Sequence, residues 1–185
     1  MHILITGAAG SGTSTLAAAI AAAIPARAIE TDDYFWRPTT PPYQQKFGHE
    51  ERRVALLKDL HASPNAVVAG ALMGWGETLE NAFGLVVFLY VPTAVRLARL
   101  NDREERRFGK ADPEFLAWAA QYDEGTAEGR SLARHREWLA SRKCPVLCLE
   151  GDDTIEARQQ AVLAARHSLL SSSSPLGNET FTNSQ

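Results

Sequence analysis

The run Ile3-Leu4-Ile5-Thr6-Gly7-Ala8-Ala9-Gly10-Ser11-Gly12-Thr13-Ser14-Thr15 decides how this chain is read. Ile3–Thr6 is short and β-rich, so it reads as a strand that runs straight into glycines. From Thr13 an alanine-rich segment of high helix propensity continues to Ile24, where Pro25 ends it. Between the two, glycines let the chain bend back and bring its N–H groups to one side with no Cβ in the way. The helix opening near Thr13 adds its positive end at the same spot. A loop of this kind between a strand and a helix forms an anion cradle.

Gly7 and Gly12 have the spacing of the phosphate-binding pattern G-x-x-x-x-G-K-[ST], and Ser14 fills its hydroxyl position. The loop Gly7–Thr15 is therefore expected to hold the phosphates of ATP, with the Ser14 hydroxyl on Mg²⁺. One element departs from the pattern: position 13, where a lysine would reach the β- and γ-phosphates, is Thr13. The backbone cradle survives that change, but a charge beside the transferring phosphoryl group is lost. Either another cation replaces it, or the protein binds nucleotide with weak turnover. A dinucleotide fingerprint G-x-G-x-x-G fails in every frame, since Ala9 and Thr15 occupy required glycines. The Tyr-x-x-x-Lys pair of short-chain dehydrogenases is missing as well, because Tyr34, Tyr43, Tyr90 and Tyr122 are followed at that spacing by Pro38, Phe47, Ala94 and Thr126.

Outward from the loop, strands and helices alternate. Ala26–Glu30 reads as a second strand, and a proline-rich loop precedes a helix at about Glu50–His61. Ala66–Gly70 and Leu85–Val91 are uninterrupted apolar runs, as suits strands covered on both faces. Helices are expected over Val95–Phe108, Pro113–Tyr122, Glu128–Arg142 and Thr154–Leu170, with a fifth strand at Val146–Leu149. This order implies a three-layer α/β domain over residues 1–170. The serine-rich tail, residues 171–185, lacks apolar periodicity and is expected to be disordered.

A second motif follows the second strand: Thr31-Asp32-Asp33-Tyr34-Phe35-Trp36-Arg37-Pro38. Carboxylates at a strand C-terminus of an open α/β sheet face the ligand crevice. There, one can take a proton from a substrate hydroxyl or hold Mg²⁺, and neighbouring aromatics can stack on a flat ring. Taken with the loop, this segment resembles the P-loop small-molecule kinases, and Asp-Asp-Tyr-Phe-Trp-Arg-Pro is similar to the matching segment of uridine and nicotinamide-riboside kinases. The glycine order resembles that of nucleotide and shikimate kinases and of the adenylate-kinase-like topology modulation proteins. The resemblance implies a P-loop NTPase fold with a parallel sheet of order 2-3-1-4-5, and Asp32 as the base, with Ser14 and Asp32 toward Mg²⁺. It also places Asp33, Tyr34, Trp36 and Arg37 toward the acceptor. The third strand runs into Gly70-Ala71-Leu72-Met73-Gly74-Trp75-Gly76-Glu77, where Gly74 would admit the substrate, Trp75 form a wall and Glu77 offer a polar contact.

Arg96, Arg99, Arg103, Arg106 and Arg107 recur at three- and four-residue steps along one expected helix. In nucleotide-kinase-like proteins, the helix after strand four carries Arg-x-x-x-Arg into a lid over the phosphates. Arg99 and Arg103 fit that register, with a lid at about residues 103–112 and Gly109 as its hinge. Their guanidinium groups are expected to supply the charge that Thr13 does not. Arg130 and Arg134 lie one turn apart, where a surface helix accounts for them and a phosphate or substrate contact is the alternative.

The composition of the 185 residues fits this reading: 45% are hydrophobic, 22% are charged, and the formal net charge is −3. That charge argues against a general nucleic-acid binder. No apolar run suits a membrane span or signal peptide, so a cytoplasmic monomer or small homo-oligomer is expected. Cys144 and Cys148 on one strand would stand roughly 13 Å apart at ~3.3 Å per residue, too far to bridge, and read as small buried apolar side chains. No His/Cys pattern suits a structural metal. The expected activity is phosphoryl transfer from Mg²⁺-ATP to a small hydroxyl or phosphate acceptor, nucleoside- or nucleotide-like. The alternative is a nucleotide sensor without catalysis.

Overall fold

The computed structural model describes residues 1–125 and 129–172. The elements follow in the order β1 (Ile3–Gly7), α1 (Thr13–Ala23), β2 (Arg27–Glu30), α2 (Asp32–Phe35), α3 (His49–His61), β3 (Ala66–Ala69), α4 (Glu77–Glu80), β4 (Leu85–Tyr90), α5 (Thr93–Phe108), α6 (Pro113–Ala120), α7 (Leu132–Ala140), β5 (Val146–Glu150) and α8 (Ile155–Ser172). All strand pairs are parallel, and the sheet order is β2-β3-β1-β4-β5. The first strand lies at its centre, with Ile5 opposite Ala69 on one side and Val87 on the other.

Strand periodicity divides the core into two layers. Leu4, Val68, Val86 and Phe88 face one side, where Leu56 and Leu60 of α3 cover them. Ile3, Ile5, Val67, Val87 and Leu89 face the other side, under Leu16 and Ile20 of α1 and Val162 of α8. Each such aliphatic side chain contributes about 1.5–3 kcal/mol by leaving water. Burying both faces holds β1 rigid, and with it the loop leaving its C-terminal end.

Several boundaries differ from the sequence reading, for local reasons. Asp32–Phe35 forms a one-turn helix that raises the Asp-Asp pair off the sheet end. α5 runs to Phe108 and stops at Gly109, whose φ of 79° suits a left-handed cap. Asp112 then caps α6 through its side chain, so the span expected as a lid is mostly helix with a short turn. α7 begins at Leu132 because Ser131 caps it, which leaves Arg130 outside the helix. α8 continues through Ser172, and the rest of the tail, like Glu128, lies outside the described residues. The cysteines are not both buried: Cys148 is exposed and Cys144 half-buried, because β5 is an edge strand. Among the described residues, no helix is long and apolar enough to cross a membrane.

Candidate active site

The loop between β1 and α1 is shaped by left-handed glycines, with φ of 82° at Gly10 and 92° at Gly12. A Cβ at Gly10 would lie 2.7 Å from the carbonyl oxygen of Arg96, so only glycine fits against α5 there. The N-terminus of α1 has no side-chain cap. Among the described residues, the N–H groups of Gly10, Gly12, Thr13 and Ser14 meet no acceptor. Free donors at a helix start suit phosphate oxygens, so the loop fits the triphosphate it was read to hold.

Two buried arginines set the direction of these donors. Arg96, 1% exposed, donates from Nη1 to the carbonyl of Ala9 at 3.4 Å. Arg158, 2% exposed, donates from Nη1 to the carbonyl of Ser11 at 3.2 Å and from Nη2 to that of Gly151 at 2.6 Å. In a trans peptide, the C=O of one residue and the N–H of the next point opposite ways. Drawing the Ala9 and Ser11 carbonyls outward therefore turns the N–H groups of Gly10 and Gly12 inward. Arg96 also donates to Val91, Ala119 and Thr93 at 2.8–3.2 Å, which binds α5 and α6 to the loop.

The two arginines expected to serve the lid lie on α5 and are engaged in ion pairs. Arg99 pairs with Asp152 in the turn between β5 and α8. Arg103 pairs with Glu104 at 2.9 Å and lies over the Phe115 ring. Besides the buried Arg96, the half-buried Arg130 lines a small chamber with Ala8 and Ala9. Loss of water lowers the pKa of its guanidinium below the usual arginine value, while the carboxylate of Asp32 pulls it back up. Asp32 and Arg130 are thus electrostatic neighbours.

Next to Arg130 sits a buried polar relay. His135 is fully enclosed, with its Nδ1 2.6 Å from Tyr122 Oη and its Nε2 3.3 Å from Thr6 Oγ1. Burial, and secondarily the charge of Arg130, pushes the His135 pKa down to about 4. Burial also raises the pKa of the Tyr122 phenol, which keeps it protonated and able to donate to the neutral ring.

Ser14 Oγ donates to Glu30 Oε2 at 3.0 Å, a partner that the sequence reading left out. Burial raises the Glu30 pKa against the opposing pull of that hydrogen bond, and the nearby charges of Asp32 and Asp33 raise it further. Among the described residues, no three His, Cys, Asp or Glu side chains are gathered as a metal cage. A serine and one carboxylate beside free phosphate donors instead suit a magnesium ion carried in by nucleotide.

Asp32 and Asp33 also line an open cavity of about 370 Å³, with Trp36, Arg37, Tyr43 and Arg107 among its walls. Tyr34, Gly74, Trp75 and Glu77, also expected toward the acceptor, are not among its walls. Tyr34 Oη donates to Asp59 at 2.5 Å, tying α2 to α3, and the phenol pKa is pushed up to about 12, mainly by burial. Trp75 is 3% exposed and stacks on Phe35 in the core. Gly74 offers its carbonyl to His49, and Glu77 pairs with Lys143 at 2.8 Å on the surface. Tyr34, Trp75 and Glu77 each find a partner elsewhere in the chain: Asp59, Phe35 and Lys143.

The family model described as AAA domain matches residues 3–116. The uncharacterized protein YqaC of Bacillus subtilis (strain 168) is 40% identical over 172 residues, which cover 88% of this chain and 95% of that protein. A shikimate kinase structure from Bacteroides thetaiotaomicron has a TM-score of 0.58 at 21% identity, covering 90% of this chain and 98% of its own. A gluconokinase structure from Sinorhizobium meliloti 1021 has a TM-score of 0.56 at 20% identity, covering 94% and 97%. With a phosphate loop on the first strand of a 2-3-1-4-5 parallel sheet, the chain belongs to the AAA-domain family of P-loop proteins and has the fold of small-molecule kinases.

Proposed function

We propose that the protein is a small-molecule kinase that moves the γ-phosphoryl group of Mg²⁺-ATP to a hydroxyl of a small acceptor. The observation carrying this reading is the position of Asp32, which borders the 370 Å³ cavity and whose charge acts on Arg130, a wall residue of the chamber at Ala8 and Ala9. A carboxylate on the wall of an acceptor cavity can take the hydroxyl proton as attack begins. The loop N–H groups hold the phosphates, and Arg130 meets the charge spread over the transferring group. Ser14 and Glu30 would hold the magnesium, which draws electron density from the phosphate oxygens when bound. Arg130 thereby takes the part of the absent lysine, in place of Arg99 and Arg103. The reading goes with a cytoplasmic monomer or small homo-oligomer.

Thr13 favours a second reading, a nucleotide sensor that binds without turnover. Incubation of the full chain with Mg²⁺-ATP and a panel of nucleosides, nucleotides, sugars and ring acids separates the two. The kinase reading expects ADP formation above background with at least one acceptor. Tight ATP binding with no turnover across the panel would establish the sensor.

A further inference from the structure

The walls of the larger cavity carry more chemical information than its size. Asp32 and Asp33 contribute negative charge, and Arg37 and Arg107 contribute positive charge. Arg37 is partly committed, donating from Nη2 to Glu51 at 2.7 Å and lying 4.4 Å from the Phe47 ring centre. Arg107 is not: its Nη1 donates to Tyr43 Oη at 3.2 Å, its guanidinium lies over Tyr43 and Phe108, and among the described residues it has no carboxylate partner. A planar guanidinium with free N–H donors matches the oxygens of a carboxylate or a phosphate in a paired geometry. The nearby aromatics are held firmly, with Trp36 edge-on to Tyr43 at 5.8 Å and to Phe35 at 4.9 Å. Lys46 lies over the Trp36 ring and Arg107 over the Tyr43 ring, so the aromatic wall is edged by cations.

We infer that the acceptor is a ring-bearing hydroxyl compound with a negatively charged group, a carboxylate or a phosphate monoester, that Arg107 recognises with help from Arg37. The assignment rests on the kinase reading for the hydroxyl, but not for the anion. Coulomb repulsion from Asp32 and Asp33 excludes an anion beside them and so orients such a molecule, hydroxyl toward the aspartates and charge toward the arginines. A volume of about 370 Å³ suits a molecule of one or two rings. A neutral sugar would leave the remaining Arg107 donors without an anionic counterpart.

The test is calorimetric binding to the full chain, with the nucleotide site saturated by Mg²⁺-ADP so that phosphates cannot report on the loop. Two matched pairs are the probes: uridine against uridine monophosphate, and 3-(hydroxymethyl)benzoate against its methyl ester. The charged member of at least one pair is expected to bind about tenfold tighter than its neutral mate, equivalent to one bidentate charged contact. Arg107→Gln should reduce that gap to about threefold or less, and Arg107→Lys should restore part of it. A gap confined to one pair identifies the anion as phosphate or carboxylate. Equal affinities within both pairs, or no binding of any probe up to about 10 mM, overturn the inference. So does a gap that survives Arg107→Gln, which would leave Arg107 as a tether for the Tyr43 loop. Anion-selective binding without ADP formation would sink the kinase reading alone, whereas transfer to neutral acceptors with no anion preference would sink this inference alone.

Discussion

The guanidinium of Arg158 and the backbone carbonyl of Ser11 meet at 3.2 Å, although 147 positions separate them in the chain. The contact fastens the last helix to the phosphate loop. It also fixes the peptide plane that presents the Gly12 N–H, so it couples C-terminal packing to nucleotide binding. Arg158→Met keeps the packing volume while freeing the Ser11 and Gly151 carbonyls. ATP affinity should fall about tenfold, the size of one charge-assisted hydrogen bond, and the melting temperature should drop. A folded variant with unchanged ATP affinity would show that the loop holds its shape without this clamp.

The Ser14–Glu30 pair leads to a magnesium test that does not depend on turnover. In the wild type, Mg²⁺ should increase the rise in melting temperature that ATP produces, since a ligand bound only by the folded state stabilises it. Glu30→Gln should remove most of that magnesium increment and leave the metal-free ATP shift in place. A full increment in Glu30→Gln would move the metal to Asp32.

Asp32→Asn preserves shape and removes the base. Turnover should fall by about 10²-fold or more, the usual scale of general-base catalysis, with ATP affinity largely kept. Asp33→Asn should have the smaller effect, because Asp32 is the carboxylate whose charge acts on Arg130. Reversed effects of the two variants would assign the base to Asp33.

Arg130→Ala should lower turnover by about 10³-fold, the lower range for an arginine that stabilises a transferring phosphoryl group. ADP affinity should change little, because ADP lacks the γ-phosphate. Arg99→Ala should be near neutral, since its exposed pair with Asp152 is worth little in water. Thr13→Lys should add nothing to an active enzyme. Clear turnover gained by Thr13→Lys in an otherwise silent protein would instead support the sensor.

His135 makes stability depend on pH. Its folded pKa of about 4 lies below the ordinary histidine value of 6.5, so the unfolded chain takes up the proton first as pH falls. The contribution is complete above about pH 6.5 and is lost progressively toward pH 4, on the order of 3 kcal/mol in all. Denaturant unfolding across that range should show the loss in the wild type and a flatter profile in His135→Gln, which can still bond to Tyr122. Equal slopes would mean that another group governs acid stability.

The sequence alone was sufficient for whatever depends on near neighbours. A strand entering Gly7, a helix leaving Thr13 and the apolar runs at Ala66 and Leu85 follow from steric freedom and periodicity, which act over a few residues. Those signals place a phosphate loop on a parallel sheet, and the kinase-like order of the strands came with the resemblance that the motifs carry. The choice among arginines needed the fold. Arg96, Arg99 and Arg103 look alike at helical spacing, yet docking of α5 buries Arg96 with Leu100 and Glu104 and leaves Arg99 and Arg103 half in water. The same holds for Glu30, Arg130 and Arg158, whose roles depend on partners brought near by sheet order rather than by spacing. A buried charge must find acceptors wherever packing supplies them, and local sequence carries no record of which distant carbonyl or carboxylate that will be.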